Sequence, residues 1–313
     1  IFKHPEFTSY TKKVFEVFDS WKMKTIPTLK DIKQGVKPKK LIHAISEDLL
    51  ESFSNLRLID KYDVYQHLMT YWSEVMQDDV YVISDDGWKT GREVYRIVKT
   101  TKDKSGKAKE KDIEGMDGIE SKLLKPNLII SRYFIAEKET IEKLESDRDT
   151  IAMQLEEMEE EHGAEDGMMA EAKNDKDKIT AATVKERLKK IKSSKEDADE
   201  RNILEAYLKL TDALSELNKQ IKEHQKILEA LVWDRYNVLT DVEIKTLVVD
   251  DKWMQVMDDA IHTEMQRISQ RLTQRIKELA DRYDTPLPMQ LLDMRALEEK
   301  VNVHLSKMGF AWN

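Results

Sequence analysis

Two stretches of heptad spacing, residues 133–162 and 199–236, constrain this chain more than anything else in it. In the second, Ile203, Tyr207, Leu210, Leu214, Leu217 and Ile221 fall on one seam that continues through Leu228 and Leu231, with His224 in the remaining slot. In the first, Phe134, Ile141, Leu144, Ile151, Leu155 and Met158 repeat the pattern, interrupted at Glu137, Arg148 and the terminal His162. At about 1.5 Å per residue the first stretch alone is on the order of 45 Å long. The connection holds Gly163, Gly167 and the polar run 174–178, enough for the two helices to fold back antiparallel, and Thr180 is placed to cap a short helix over 181–192. Heptads of this kind serve either as an internal bundle or as a partner-binding arm, and spacing alone does not separate the two.

Charged residues make up 36% of the 313 positions, against 9 glycines and 6 prolines, which suits long solvated helices better than a sandwich or barrel. The fold class expected is mainly α: a helical domain with a small β-hairpin or sheet and a long antiparallel helical arm. Length allows one large or two small domains. With 52 Lys and Arg against 61 Asp and Glu, the formal charge of −9 gives no support for nonspecific nucleic-acid binding, so any DNA contact has to be local. There is no cysteine, hence no disulfide framework and no thiolate metal site, as in a reducing cytoplasm. No apolar run approaches the ~18 residues of a membrane span. The first residue is not Met and a helical pattern starts at Pro5, so the chain is expected to begin inside a longer protein.

Taken in order, Phe7, Tyr10, Val14, Val17 or Phe18 and Trp21 predict a helix over 5–24 that stops at Pro27. A second starts at Pro38, with Leu41, Ile42, Ile45, Leu49, Leu50 and Phe53 inward and a basic cluster, Lys37, Lys39 and Lys40, at its entrance. Asp60 is expected to cap a third, running to about Met76 and rich in aromatics, with Asp63 as an acidic capping-box variant. Residues 80–83 and 94–100 read as strands around the turn Asp85-Asp86-Gly87, 101–111 as a Lys-rich polar loop, and 123–131 as a further extended piece. Thr240 and Glu243 form a capping box, Asp250 or Asp251 caps a long helix, and a last helix over 289–308 ends at Gly309 in a Schellman cap with Phe310. The expected division is 1–131, a helical subdomain with the β element; 132–240, the arm; and 241–313, helices packing back on the first subdomain.

No His pair sits at helical metal spacing, and no P-loop, Rossmann fingerprint, nucleophile elbow or EF-hand loop is present. The carboxylate pairs Asp78/Asp79, Asp85/Asp86 and Asp250/Asp251 sit where caps and turns want acids. His224 on the seam is the one ionisable oddity, suited to setting register or to titrating near neutrality.

Several long, irregular runs carry a resemblance. LIDKYDVYQHLM at 58–69 continues through Tyr71-Trp72 and MQDDVY at 76–81 to DDGW at 85–88; EEHG at 160–163, AEAKNDK at 170–176, LVVDDKW at 247–253 and KMGF at 307–310 follow in order. These resemble the modification subunit of type I restriction–modification systems over nearly the whole chain. The resemblance implies an adenine-specific DNA methyltransferase that uses S-adenosylmethionine on the N6 position, its target read by a separate specificity subunit and its complex completed by a restriction subunit on double-stranded DNA. The family's Asn-Pro-Pro-Tyr/Phe tetrapeptide is missing, since no two prolines are adjacent, and so is its glycine-rich cofactor motif. Neither catalytic nor cofactor-binding residues carry over, and the resemblance is to the family's C-terminal portion.

In that family, helices beyond the catalytic domain meet the helical regions of the specificity subunit. The resemblance thus favours the partner-binding arm, with Leu210, Leu214, Leu217 and Ile221 on the seam and Leu204 and Leu208 on its flank as candidate partner-binding residues. Candidate DNA-backbone contacts are Lys185, Arg187, Lys189, Lys190 and Lys192, or the lysines of 102–111. The other readings are a stand-alone coiled-coil scaffold without a DNA role and a complete enzyme of unfamiliar chemistry.

Overall fold

The computed structural model describes residues 4–102, 108–164, 166–174, 177–192 and 197–310, with the backbone alone at 101, 102, 108, 109 and 111. In chain order come α1 (Pro5–Lys30), α2 (Pro38–Ser52), α3 (Lys61–Tyr71), a π-helical segment (Trp72–Met76) and α4 (Gln77–Asp86). Four short strands follow: β1 (Tyr95–Arg96), β2 (Val98–Lys102), β3 (Ala108–Asp112) and β4 (Ile119–Glu120). The remainder is helical: α5 (Pro126–Tyr133), α6 (Ile135–His162), α7 (Ala181–Ile191), α8 (Ala198–Val238), α9 (Asp241–Lys245), a second π-helical segment (Thr246–Met254), α10 (Gln255–Tyr283) and α11 (Leu287–Lys307). The fold is mainly α, with small antiparallel strand pairs and a long antiparallel helix pair. Two compact units divide it, residues 1–80 with 253–313, and residues 81–252. The strands therefore belong with the long helix pair and not, as the sequence suggests, with the first helices.

In the first unit α1 buries Phe7, Val14, Phe18, Trp21, Thr25 and Leu29, a stripe at helical spacing. The Trp21 indole N–H donates to the Ile45 carbonyl of α2 at 3.2 Å. Contrary to expectation, Pro27 does not end α1, which continues to Lys30. The carbonyl that Pro27 deprives of a partner belongs to Met23, which is exposed and open to water, while Leu29 is held in the core beyond it. Pro38 opens α2 without a side-chain cap, and Asp60 caps α3 by accepting the Tyr62 N–H at 2.9 Å. Asp63 takes no part in that cap and instead accepts from Arg267 of α10 at 2.6 Å.

The run read as a strand, 80–83, is helical. Val64, Leu68, Trp72, Met76 and Val80 are all buried, and each lies four residues after the last. In a 3.6-residue helix that spacing would wind the stripe off its face by about 40° per step. The wider π segment at 72–76 takes up the excess and keeps the stripe inward. Four β-branched or aromatic residues are too few to show a period, so this mean spacing was the available signal. Asp79 follows the segment and is buried, accepting from the Trp253 indole N–H at 2.8 Å. It is an interior acceptor, where the sequence suggests a cap or turn. Likewise neither Asp250 nor Asp251 stands at the N-cap of α10, because the second π-helical segment runs through both and Met254 holds that position.

In the second unit β2 pairs antiparallel with β3, from Val98 opposite Asp112 to Lys102 opposite Ala108, and β1 pairs with β4. The stretch 101–111 read as a loop is thus largely hairpin; its tip, 103–107, lies outside the described residues. Lysine-rich strands show no apolar alternation, which removes the period-2 signal. Residues 126–133 are α5, not an extended piece: Pro126 occupies the first helical turn, where its missing N–H costs nothing, and Ile129 and Ile130 are buried. The helix pair is tied at this end by polar groups. The Tyr236 hydroxyl donates to the Leu124 carbonyl at 2.5 Å, Lys252 donates to the Leu123 carbonyl at 2.9 Å, and Arg132 donates to both Asp251 oxygens at 2.9 and 2.7 Å. Gly91 packs so closely on Ile244 that a Cβ there would lie 2.5 Å from Cγ2.

The Thr240–Glu243 capping box forms as expected: the Thr240 N–H and hydroxyl donate to the Glu243 carboxylate at 2.9 and 2.8 Å. These bonds, with the nearby Arg235 guanidinium, lower the Glu243 pKa to about 2. Since the folded value lies below the unfolded one, this stabilisation is complete above about pH 5 and is lost as pH falls through the ordinary carboxylate range toward 2. Melting temperature followed from pH 6 to pH 3 should fall less steeply in Glu243→Gln than in the parent. The buried pair gives a second expectation. Trp253→Phe removes one bond from the buried Asp79 carboxylate and should cost about 1–3 kcal/mol in urea unfolding, more than Asp79→Asn, which keeps an acceptor for the indole.

Candidate partner-binding surface

The α8 seam is covered from within the chain. Its 41 residues, about 60 Å long, run antiparallel to α6, with Tyr207, Ile221, Leu228, Val232 and Tyr236 buried. Leu210, Leu214 and Leu217 are half-buried against it. On α6, Ile141 and Leu155 are buried, and the expected interruption at Arg148 is met by a salt bridge to Asp149 at 2.7 Å. His224 is exposed and sets no register.

At the far end of the pair the connection packs into a small core of its own. Leu155, Met169, Ala172, Val184, Ile191, Leu204 and Tyr207 form it, and the Tyr207 hydroxyl donates to Glu159 at 2.5 Å. Leu204, a flanking docking residue on the heptad pattern, is instead fully buried there, and Leu208 packs against the same cluster. The seam shifts because α7 folds over this end of α8 and covers a side that a two-helix heptad leaves open.

Thr180 caps α7 through a capping box with Thr183. Of its basic residues, Lys185, Lys189, Lys190 and Lys192 are exposed, but Arg187 is engaged inside the fold. It donates to both Glu200 oxygens at 2.7 and 3.0 Å and to Glu171 at 3.2 Å, and its pKa is raised chiefly by the Glu200 bond. Arg187 is therefore a structural ion-pair residue, while the four lysines stand as a surface cluster. The side chains of Lys102, Lys104, Lys107, Lys109 and Lys111 lie outside the described residues.

The uncovered apolar surface is elsewhere. In α10 the stripe Met257, Ile261, Met265 and Ile268 is buried, yet beyond Thr273 every residue of the helix is exposed. Leu272 and Ile276 line an open groove of about 670 Å³ with Phe7, Tyr10 and Leu58. No residue of α11 is buried, although Leu287, Met289, Leu292, Leu297 and Val301 are each at least half exposed. Its C-terminus is nevertheless well closed: Gly309 at φ +83° donates to the Ser306 carbonyl at 3.1 Å and Phe310 N–H to the Leu305 carbonyl at 2.9 Å, the Schellman pattern expected. The sequence holds the signal for this surface, ten apolar residues in the 21 of α11, but a helix hydrophobic on several sides reads as a core helix until its surroundings are known.

Among the described residues no group of three or more His, Cys, Asp or Glu side chains could hold a metal ion, and no helix is long and apolar enough to cross a membrane.

Truncating Leu204 to Ala should lower stability by about 2–5 kcal/mol, and Leu208→Ala by clearly less, with thermal melting as the measurement. Comparison of the chain with protein-family models, with curated proteins and with solved structures yields no match.

Proposed function

We propose that this chain is an assembly module: the C-terminal docking portion of the modification subunit of a type I restriction–modification complex, holding a helical partner, the specificity subunit, near DNA. In this reading adenine methylation and S-adenosylmethionine binding belong to the parent enzyme, and the chain itself supplies neither. The observation that carries the reading is α11, a helix of 21 residues closed at its C-terminus by Gly309, with apolar side chains on more than one side and none of them buried. An amphipathic helix of that kind is held in water by a partner that covers it. The docking surface assigned here is accordingly α11 with the distal half of α10, in place of the arm, whose seam is already filled by α6. Any DNA contact is electrostatic, through Lys185, Lys189, Lys190 and Lys192, and weakens steeply with salt.

The test is capture of a type I specificity subunit by this chain. The full chain should retain it, a chain ending at Asp284 should lose it, and a chain with Lys185, Lys189 and Lys190 changed to Glu should keep it. Equal capture by the chain ending at Asp284 would refute the assigned surface, and no capture by the full chain would refute the reading itself.

A further inference from the structure

We propose that α11 pairs antiparallel with α11 of a second copy of this chain. At 100° per residue, Leu287, Leu291, Met294, Leu297, Val301 and Leu305 lie on one stripe about 120° wide, and none is buried. Met289, Leu292, Ala296 and Val303 lie on the opposite side of the same helix, so the first stripe can be occupied while the second stays open to a different chain.

Charge at the edge of the stripe selects the occupant. Asp293 and Lys300 sit seven residues apart on the same edge. When two copies run antiparallel with Met294 layered on the partner's Leu297, Asp293 faces the partner's Lys300 and Lys300 faces the partner's Asp293. The dyad makes the pair reciprocal, as a two-fold interface requires. Parallel pairing would instead set Asp293 against the partner's Glu298, a like-charge contact made twice. The overlap from 287 to 304 is about 27 Å long, so the association is concentration-dependent. This inference rests on the proposed function only in taking α11 as a docking helix.

Sedimentation of the full chain over a range of concentrations tests it. The parent should show a monomer–dimer equilibrium. Met294→Asp should weaken it by about a hundredfold, with an unchanged melting curve at concentrations where the parent is a monomer, because α11 buries nothing within its own chain. Asp293→Lys and Lys300→Asp should each weaken it on the order of tenfold, and the two together should restore it. Because the chain has no cysteine, introduced ones report direction. Leu287→Cys with His304→Cys should cross-link between copies, and either alone should not; in a parallel pair each alone would. A monomer at every concentration, a dimer indifferent to Met294→Asp, or failure of the double charge reversal to restore pairing would overturn the proposal. Capture of the specificity subunit reads the other face, so loss of self-pairing with capture intact, or the reverse, separates the two ideas.

Discussion

An apolar stripe on a helix has to be covered, and in a chain more than a third charged, with few glycines and prolines, almost every element is a helix with such a stripe. The rest of the structure follows from how each is met. α1 and α2 cover one another through Trp21, Phe18, Ile45 and Leu49; α6 covers α8 along the arm; α7 closes the arm's far end over Leu204. In each unit polar groups fix what apolar burial leaves loose: the Trp253 indole on Asp79 in one, the Tyr236 hydroxyl on the Leu124 carbonyl in the other. The demand goes unmet within the chain at α11.

Features that depend on a few neighbouring residues were legible in the sequence. The caps at Asp60, Thr180 and Thr240 and the close at Gly309 form as their local chemistry dictates, because a cap needs only a side chain and the next three or four amides. What failed was whatever a distant element decides. Leu204 looked peripheral on a two-helix wheel and is central once α7 lies across it. Arg187 looked like part of a basic surface and is committed to Glu200. Pro27 looked like a stop, but the cost of one lost hydrogen bond was borne where the carbonyl meets water. For the candidate surface the heptads of the arm leave an internal bundle and a docking arm equally open, and only the resemblance favours docking; regular heptads are also what two helices of one chain use to satisfy each other.

The runs that carry the family resemblance include some of the most deeply packed parts of the molecule. MQDDVY contributes Met76, Asp79 and Val80 to the interior, and LVVDDKW contributes Leu247, Val248, Val249 and Trp253. Their distinctive composition answers a packing requirement, namely a buried acid and an indole that need one another. Packing alone accounts for those runs, while the proposed role rests on α11, a surface that shares little with them.

The wide turns at 72–76 and 246–254 also bear on chain length. Loops take up an inserted or deleted residue because nothing downstream depends on their phase. Within the stripe from Val64 to Val80, by contrast, every residue past the π segment faces inward only because that segment is underwound. Removing one residue between 72 and 76 together with the wide turn would leave Met76 and Val80 inward, since eleven ordinary helical steps from Val64 bring Met76 to within about 20° of the same face. Related chains should therefore carry either the wide turn or a one-residue gap in this segment, and not a gap with the wide turn kept.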